Sequence, residues 1–291
     1  LSLVLLITVM ATAGTMSGYG PFAIHPFPRS LMLLQAYLSV MAATTLVFHA
    51  LIMERQKAMR TLEHTQEVAI TSLASLAETR SNETGGHIMR TQRYVRVLAE
   101  ALKDHPRFEQ RLDARYIDLL TKTAPLHDIG KVGVPDSILL KPGALTPEEF
   151  EEMKRHTDYG RDALRKARLQ LGDSPFFQLA EEIAYGHHEK WDGSGYPLGI
   201  RGEDIPLSCR LMGLADVYDA LISKRSYKDA YTHEKAKEII MLARNTHFDP
   251  DVAYAFLRKE HEFVRIAWEH DHLETENAII PGLTLVEDKS D

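Results

Sequence analysis

Cysteine is nearly absent from this chain, with Cys209 alone among 291 residues. One thiol excludes an intramolecular disulfide and a cysteine-rich zinc site, and it fits a reducing compartment. A small buried place on a helix suits it best. Basic excess is missing as well. Asp and Glu outnumber Lys and Arg by 41 to 34, a formal net charge of -7, which excludes a general binder of DNA or RNA polymers. A small anionic nucleotide stays open, because a local cationic pocket can hold one whatever the global charge. Alternating strand patterns and internal repeats are lacking too, so the fold class expected is all-α.

Charge is missing altogether from two N-terminal stretches. Leu1 to Met16 carries none, and Ser30 to Met53 carries none over a length sufficient to span a bilayer. No basic segment precedes the first stretch and the second follows closely, which disfavours a signal peptide. Beginning at Leu1, the sequence reads as part of a longer protein. Residues 1–53 are expected to be a partial transmembrane region of two apolar helices. Arg55, Lys57 and Arg60 follow the second span directly, against Arg29 alone in the loop before it. The positive-inside tendency then puts everything after Met53 in the cytoplasm.

From Glu54 to Arg80 there is neither glycine nor proline, and Leu62, Ala69, Leu73 and Leu76 recur at helical spacing. Residues 54–81 are expected to be a helical linker. Two placements suit it equally: pairing with its twin in a homodimer as a short coiled coil, or lying against the following domain. Beyond Asn82 the pattern stays helical, with Ile88, Tyr94, Val95 and Leu98, then Ile117, Leu119 and Leu120. Thr146-Pro147 with Glu149 predicts a capping-box start, and Asp249-Pro250 opens a helix running through Arg258. Cys209 to Ile222 forms a further helix. Glycine and proline place loops at Lys141–Gly143 and Trp191–Pro206. The main domain is assigned to residues 82–274 and a loose tail to 275–291.

What the chain does have is an adjacent pair, His127-Asp128, and a second pair downstream, His187-His188. Imidazole and carboxylate with no thiolate nearby suit iron, manganese or zinc held for hydrolysis. Glu83 and His87, four positions apart, would project from one face if helical.

The first pair sits in Leu126-His-Asp-Ile-Gly-Lys-Val-Gly-Val-Pro-Asp136. The second leads through Glu189 to Asp192-Gly-Ser-Gly-Tyr-Pro197. In these segments the chain closely resembles the HD-GYP family of bacterial phosphodiesterases, part of the HD superfamily and associated with hydrolysis of cyclic di-GMP. The resemblance covers roughly Asn82 to Leu257 and implies an HD-type helical bundle. It also implies metal ligands at Glu83, His87, His127, Asp128, His156, His187, His188 and Asp216. The Glu83-to-His87 element is associated with members that bind three metals. Eight ligands exceed what one octahedral ion holding water and substrate can use, so two or three divalent ions are expected, iron or manganese. Asp128 is the expected bridge, since one carboxylate can hold two cations and the water between them becomes the nucleophile.

Lys131, three residues after Asp128, is placed to meet a phosphate oxygen, which with Asp128 makes the expected catalytic pair. Tyr196 lies in a glycine-rich loop that lets a ligand approach the backbone. By resemblance, Asp219, Arg225 and Lys228 contact guanine or phosphate, Arg225 through its planar fork. Nine remaining histidines, His105, His233 and His247 among them, carry no pattern and are taken as structural. Gly186 stands where a small polar residue is more common in the family. Separately, Gly18-Tyr-Gly-Pro-Phe-Ala23 with Met53-Glu-Arg-Gln56 resembles the end of a bacterial membrane-embedded sensor domain, which implies attachment to the inner membrane.

The function implied is metal-dependent hydrolysis of cyclic di-GMP to pGpG, with onward cleavage to GMP open. A cyclic GMP-AMP substrate is an alternative. So are a catalytically silent cyclic-dinucleotide receptor and another HD-superfamily nucleotide phosphohydrolase.

Overall fold

The computed structural model describes residues 2–24, 26–80, 86–223 and 230–278, and every regular element among them is helical. The chain divides into two units, Leu1–Gln66 and Glu67–Asp291. The first holds α1 (Ser2–Met16) and most of α2 (Phe27–Glu78). With no glycine in α2 and proline only in its first turn, nothing interrupts 52 residues. The second apolar span and the expected linker are therefore one helix. Among the described residues only α2 is long and apolar enough to cross a membrane, by length and composition. The 15 residues of α1 reach roughly 22 Å at 1.5 Å each, short of the ~30 Å hydrocarbon core. Leu46, Val47, Phe48 and Leu51 of α2 are exposed, unlike the apolar face of a soluble core helix.

The second unit is a helical bundle. Its elements are α3 (His87–Leu102), α4 (Ala114–Thr123), α5 (Asp136–Leu139), α6 (Pro147–Lys154) and α7 (His156–Leu171). They continue with α8 (Pro175–Gly186), α9 (Leu207–Ile222), α10 (His233–Leu242), α11 (Pro250–Arg258) and α12 (Glu260–Ala278). The apolar positions of α3 pack on α4, α9, α11 and α12. At the centre Tyr94 stacks on Phe263 at 4.5 Å, and Tyr218 meets both edge-on at 5.2 and 5.1 Å. Each such fully buried ring contributes on the order of 2–3 kcal/mol of hydrophobic stabilisation.

Local signals set the helix starts. Thr146 accepts from the Glu149 amide and Glu149 accepts from the Thr146 amide, the expected capping box. Asp249 caps α11 through the Asp251 amide, with Pro250 in the first turn. Loops fall at Lys141–Gly143 and along Trp191–Pro206, broken only by a short 3-10 turn at Gly202–Asp204.

A second apolar cluster, Leu126, Leu164, Ala180 and Ala184, receives Ile70 from the end of α2. Ala74 and Ala77 are buried, while Leu73 and Leu76 are exposed. This end of the linker lies against the bundle, the second of its two expected placements, and still shows an apolar face to solvent. Glu83, expected to share a helical face with His87, lies outside the described residues. Gly86 sits in the left-handed region at φ 84°, so α3 starts at His87 itself.

Candidate metal centre

Short turns bring the first pair into place. A 3-10 turn over Ala124–Leu126 ends at His127, and another over Ile129–Gly133 follows Asp128. Gly130 is needed between them. A Cβ there would fall 1.9 Å from the His156 carbonyl oxygen and 2.4 Å from the Gly160 amide nitrogen. Only a hydrogen fits, and so the start of α7 presses onto the turn and carries His156 to Asp128. Asp128 Oδ1 lies 3.3 Å from His156 Nε2 and 3.6 Å from His187 Nε2. Its Oδ2 lies 3.2 Å from His127 Nε2 and 2.6 Å from the Lys131 ammonium.

Three of the histidines are aimed by carbonyls three or four residues earlier in the chain. Nδ1 of His127 donates to the Ala124 carbonyl at 3.0 Å, Nδ1 of His156 to Met153 at 2.8 Å, and Nδ1 of His187 to Ile183 at 3.0 Å. With the proton fixed on Nδ1, each Nε2 presents its lone pair to the cluster. The donor atoms form two groups, Asp128 with His156, His187 and His188, and Asp128 with His87 and His127. Asp128 belongs to both, as a bridging carboxylate must.

His87 is held differently. Its Nδ1 meets Asp219 Oδ2 at 2.8 Å, and Arg90 clamps the same carboxylate at 2.7 and 2.9 Å. Asp219 is 1% exposed. The expectation that it touches substrate is therefore corrected: its oxygens are committed to orienting His87. Asp216 stands one turn earlier on α9, with Oδ1 3.7 Å from His87 Nε2. The same nitrogen is 3.4 Å from His127 Nε2 and 3.7 Å from Glu78 Oε1.

The Gly-Tyr-Pro loop closes one side. A Cβ on Gly195 would lie 2.3 Å from the Lys190 nitrogen and 2.6 Å from the His188 oxygen, so glycine lets the loop fold back on the histidine pair. Tyr196 then donates its amide to the His188 carbonyl and stacks its ring on the His188 imidazole at 4.7 Å. Glu189 fastens the far end, with Oε1 accepting from Leu198 and Gly199 amides at 2.7 and 3.2 Å.

The electrostatics suit a cation. Burial works against the charged form of Asp128, but Lys131 and His127 hold its carboxyl well below the usual carboxylate range. Burial pushes His156 down to about 4, and burial beside His187 and His156 pushes His188 well down. Both are neutral near pH 7, as ligands must be. Burial opposes charging of His127 too, yet Asp128 outweighs it and the net shift is upward. Asp219 is held at about 2 against its burial by hydrogen bonds from His87 and Arg90.

Asp128 Oδ1, His156 Nε2 and His187 Nε2 are buried with no hydrogen-bond partner among the described residues. Three converging acceptors left bare would be costly, and a divalent cation satisfies all of them. The donor set can bind metal.

Of the residues expected at the site, His87, His127, Asp128, Lys131, His156, His187, His188, Tyr196 and Asp216 come together. Glu83, Arg225 and Lys228 lie outside the described residues. Three participants have no counterpart in the sequence-based assignment: Arg90, Glu189 and Glu78. Arg90, three positions after His87 on one helix face, had a legible signal. Glu189 adjoins the histidine pair. Glu78 had none.

Residues 71–252 match the HD domain family. A cyclic di-GMP phosphodiesterase of Vibrio cholerae serotype O1 is 60% identical over 203 residues, which cover 70% of this chain and 41% of that protein. A probable cyclic di-GMP phosphodiesterase of the same organism is 54% identical over 221 residues, 76% of this chain and 50% of that one. A 3'3'-cGAMP-specific phosphodiesterase, also from Vibrio cholerae, is 42% identical over 205 residues, 70% of this chain and 37% of that one. The chain thus spans half or less of the length of these curated relatives.

Proposed function

This chain belongs to the HD domain family, and on that premise we propose that it is a metal-dependent phosphodiesterase that opens cyclic di-GMP to linear pGpG. The observation that carries the proposal is Asp128, shared by two ligand groups and paired with Lys131. The 60% and 54% identical relatives support the choice of substrate. When bound, two or three divalent ions, iron or manganese, supply Lewis-acid polarisation of phosphorus oxygens and a more acidic water.

The side chains do the rest. His87, His127, Asp128, His156, His187, His188 and Asp216 hold the ions, with Glu83 as the ligand that the family resemblance adds. Lys131 swings its ammonium from Asp128 to a phosphate oxygen and offsets charge developing there. Tyr196 walls the site over His188 and keeps water from its far side. Arg225 forks onto a guanine edge or phosphate, and Lys228 adds a point charge. Arg90 and Asp219 fix the His87 ring, so the ligand geometry needs no reorganisation when substrate arrives.

The apolar α2 supports attachment to the inner membrane, with the catalytic unit on the cytoplasmic side where Arg55, Lys57 and Arg60 lie. The exposed Leu73 and Leu76 support pairing of the linker with its twin.

The full chain in detergent, loaded anaerobically with Mn²⁺ or Fe²⁺, is expected to convert cyclic di-GMP to pGpG on a chromatogram. Asp128→Ala should abolish turnover, and Arg225→Ala should raise KM about tenfold with little loss of kcat, as expected for one lost charged contact. Tight binding without product, in a metal-loaded chain, would replace this proposal with a silent receptor. The 42% identical relative supports a second substrate, 3'3'-cGAMP, tested in the same assay by the ratio of kcat/KM values.

A further inference from the structure

We infer that Phe150 and Lys154, on α6, form a purine-base subsite beside the metal centre, with Tyr196 as its inner wall. The inference rests on the phosphodiesterase reading above and deepens it. The centre handles a phosphate, and a cyclic dinucleotide also carries two flat bases that need surfaces of their own.

Helix α6 is acidic and shallow. Four of its eight residues are glutamates and none is buried. Phe150 is 45% exposed, so the fold gains little from a ring that water still reaches. Exposed apolar residues are ordinary when scattered singly, but Phe150 does not stand alone. Its ring meets Tyr196 at 6.3 Å and 80°, and Tyr196 in turn stacks on His188 at 4.7 Å. Aromatic surface therefore runs from an imidazole of the metal centre outward to α6. Because the Phe150 and Tyr196 rings stand at nearly a right angle, a flat base laid on one meets the other edge to face. These are the two arrangements that aromatic groups prefer.

Lys154 follows Phe150 by one turn, on the same helix face. Its ammonium stands 4.9 Å from the Phe150 ring centre and 5.5 Å from that of Tyr196. Ring faces are electron-rich, and in the free chain this cation covers them. Its carboxylate partner is Glu151 at 2.6 Å, 70% exposed, and a surface pair of that kind holds the side chain weakly. A stacking base displaces the ammonium at small cost, and the flexible stem carries it to the base edge. Guanine offers O6 and N7 there, two acceptors for an ammonium, whereas adenine offers one acceptor beside a donor. The subsite suits guanine.

The position of α6 is fixed along its length. The capping box holds its start, Tyr159 donates to Glu152 at 2.8 Å, and the Met153 carbonyl accepts from His156 Nδ1 at 2.8 Å. One short helix thus aims an imidazole of the centre with its last turn and receives a base on its exposed ring.

The test uses the full chain in detergent, loaded with Mn²⁺, with kinetics on cyclic di-GMP and on methyl p-nitrophenyl phosphate, a diester without a base. Phe150→Leu keeps an apolar side chain but removes the flat face. Its KM for cyclic di-GMP should rise about 10–30-fold, as for one lost base–aromatic stack, with kcat and metal content near the parent's. Phe150→Trp, with a wider face, should keep the parent KM or lower it. Lys154→Met should raise KM about tenfold, as for one lost charged contact. Tyr254→Leu, which removes an equally exposed ring on α11, should match the parent. An unchanged KM in Phe150→Leu overturns the subsite. So does an equal loss on both diesters or a loss of metal, either of which makes Phe150 a support for His156. A parent KM with altered sedimentation also overturns it, by making α6 a contact between chains. A parent chain that binds cyclic di-GMP without cutting it removes the phosphodiesterase reading alone, and the same ratios are then read in Kd. A parent chain that neither binds nor cuts it removes both.

Discussion

One half of the centre aims two histidines by local bonds, while the other combines a local bond at His127 with a distant one at His87. On one side, His156 and His187 donate Nδ1 to carbonyls three and four residues back in the chain. On the other, His87 donates to Asp219, 132 positions away in sequence. The local arrangement forms as soon as the helix forms. The distant one exists only when α3 and α9 have packed. A carboxylate partner also raises the basicity of its imidazole more than a carbonyl does. The His87 half is thus the more tunable and the more dependent on tertiary structure.

The largest effect should come from erasing the difference altogether. Asp128→Asn removes the group common to both halves, and kcat should fall by at least about a thousandfold, equivalent to roughly 4 kcal/mol, with metal content lost from both. Stripping the metal from the intact chain should come next. An ion held at 1,000 times its Kd adds about 4 kcal/mol, which corresponds to roughly 10 °C in the Tm of the second unit. Calorimetry with and without chelator measures it, and release in two steps would resolve the halves.

Asp219→Asn attacks only the tertiary-built half. It leaves the Arg90 cation facing a neutral amide and should weaken one ion about 10–100-fold in a chelator titration, and the other much less. Equal weakening of both ions would erase the distinction drawn here. Gly186→Ala probes the local half through packing. A Cβ there would lie 2.8 Å from Cys209 Sγ, so about 1 kcal/mol of stability should be lost, and Cys209→Ala should restore much of it in a denaturant melt. That contact also explains why glycine stands before the histidine pair.

What the sequence made legible follows the same division. Capping at Thr146 and Asp249, the Gly-Pro loops and the absence of strands are local signals, and the structure repeats them among the described residues. The adjacent pairs His127-Asp128 and His187-His188 were legible because chemistry and motif coincide in a few residues. The clamp of Arg90 on Asp219 spans 129 positions. No spacing rule connects such residues, and so Asp219 was assigned to the substrate instead of to His87. Glu78, a single carboxylate at the end of a long helix, stands 3.7 Å from His87 without any motif around it in the sequence.

One carboxylate standing in both ligand groups has a thermodynamic consequence. Whatever occupies one group changes the orientation and charge that Asp128 offers the other. Affinity at either position is then a function of occupancy at its neighbour, and by reciprocity the influence is equal in both directions. Metal uptake should therefore follow a single coupled isotherm, so that the chain passes between loaded and bare states over a narrower or wider range of free ion than independent sites would allow.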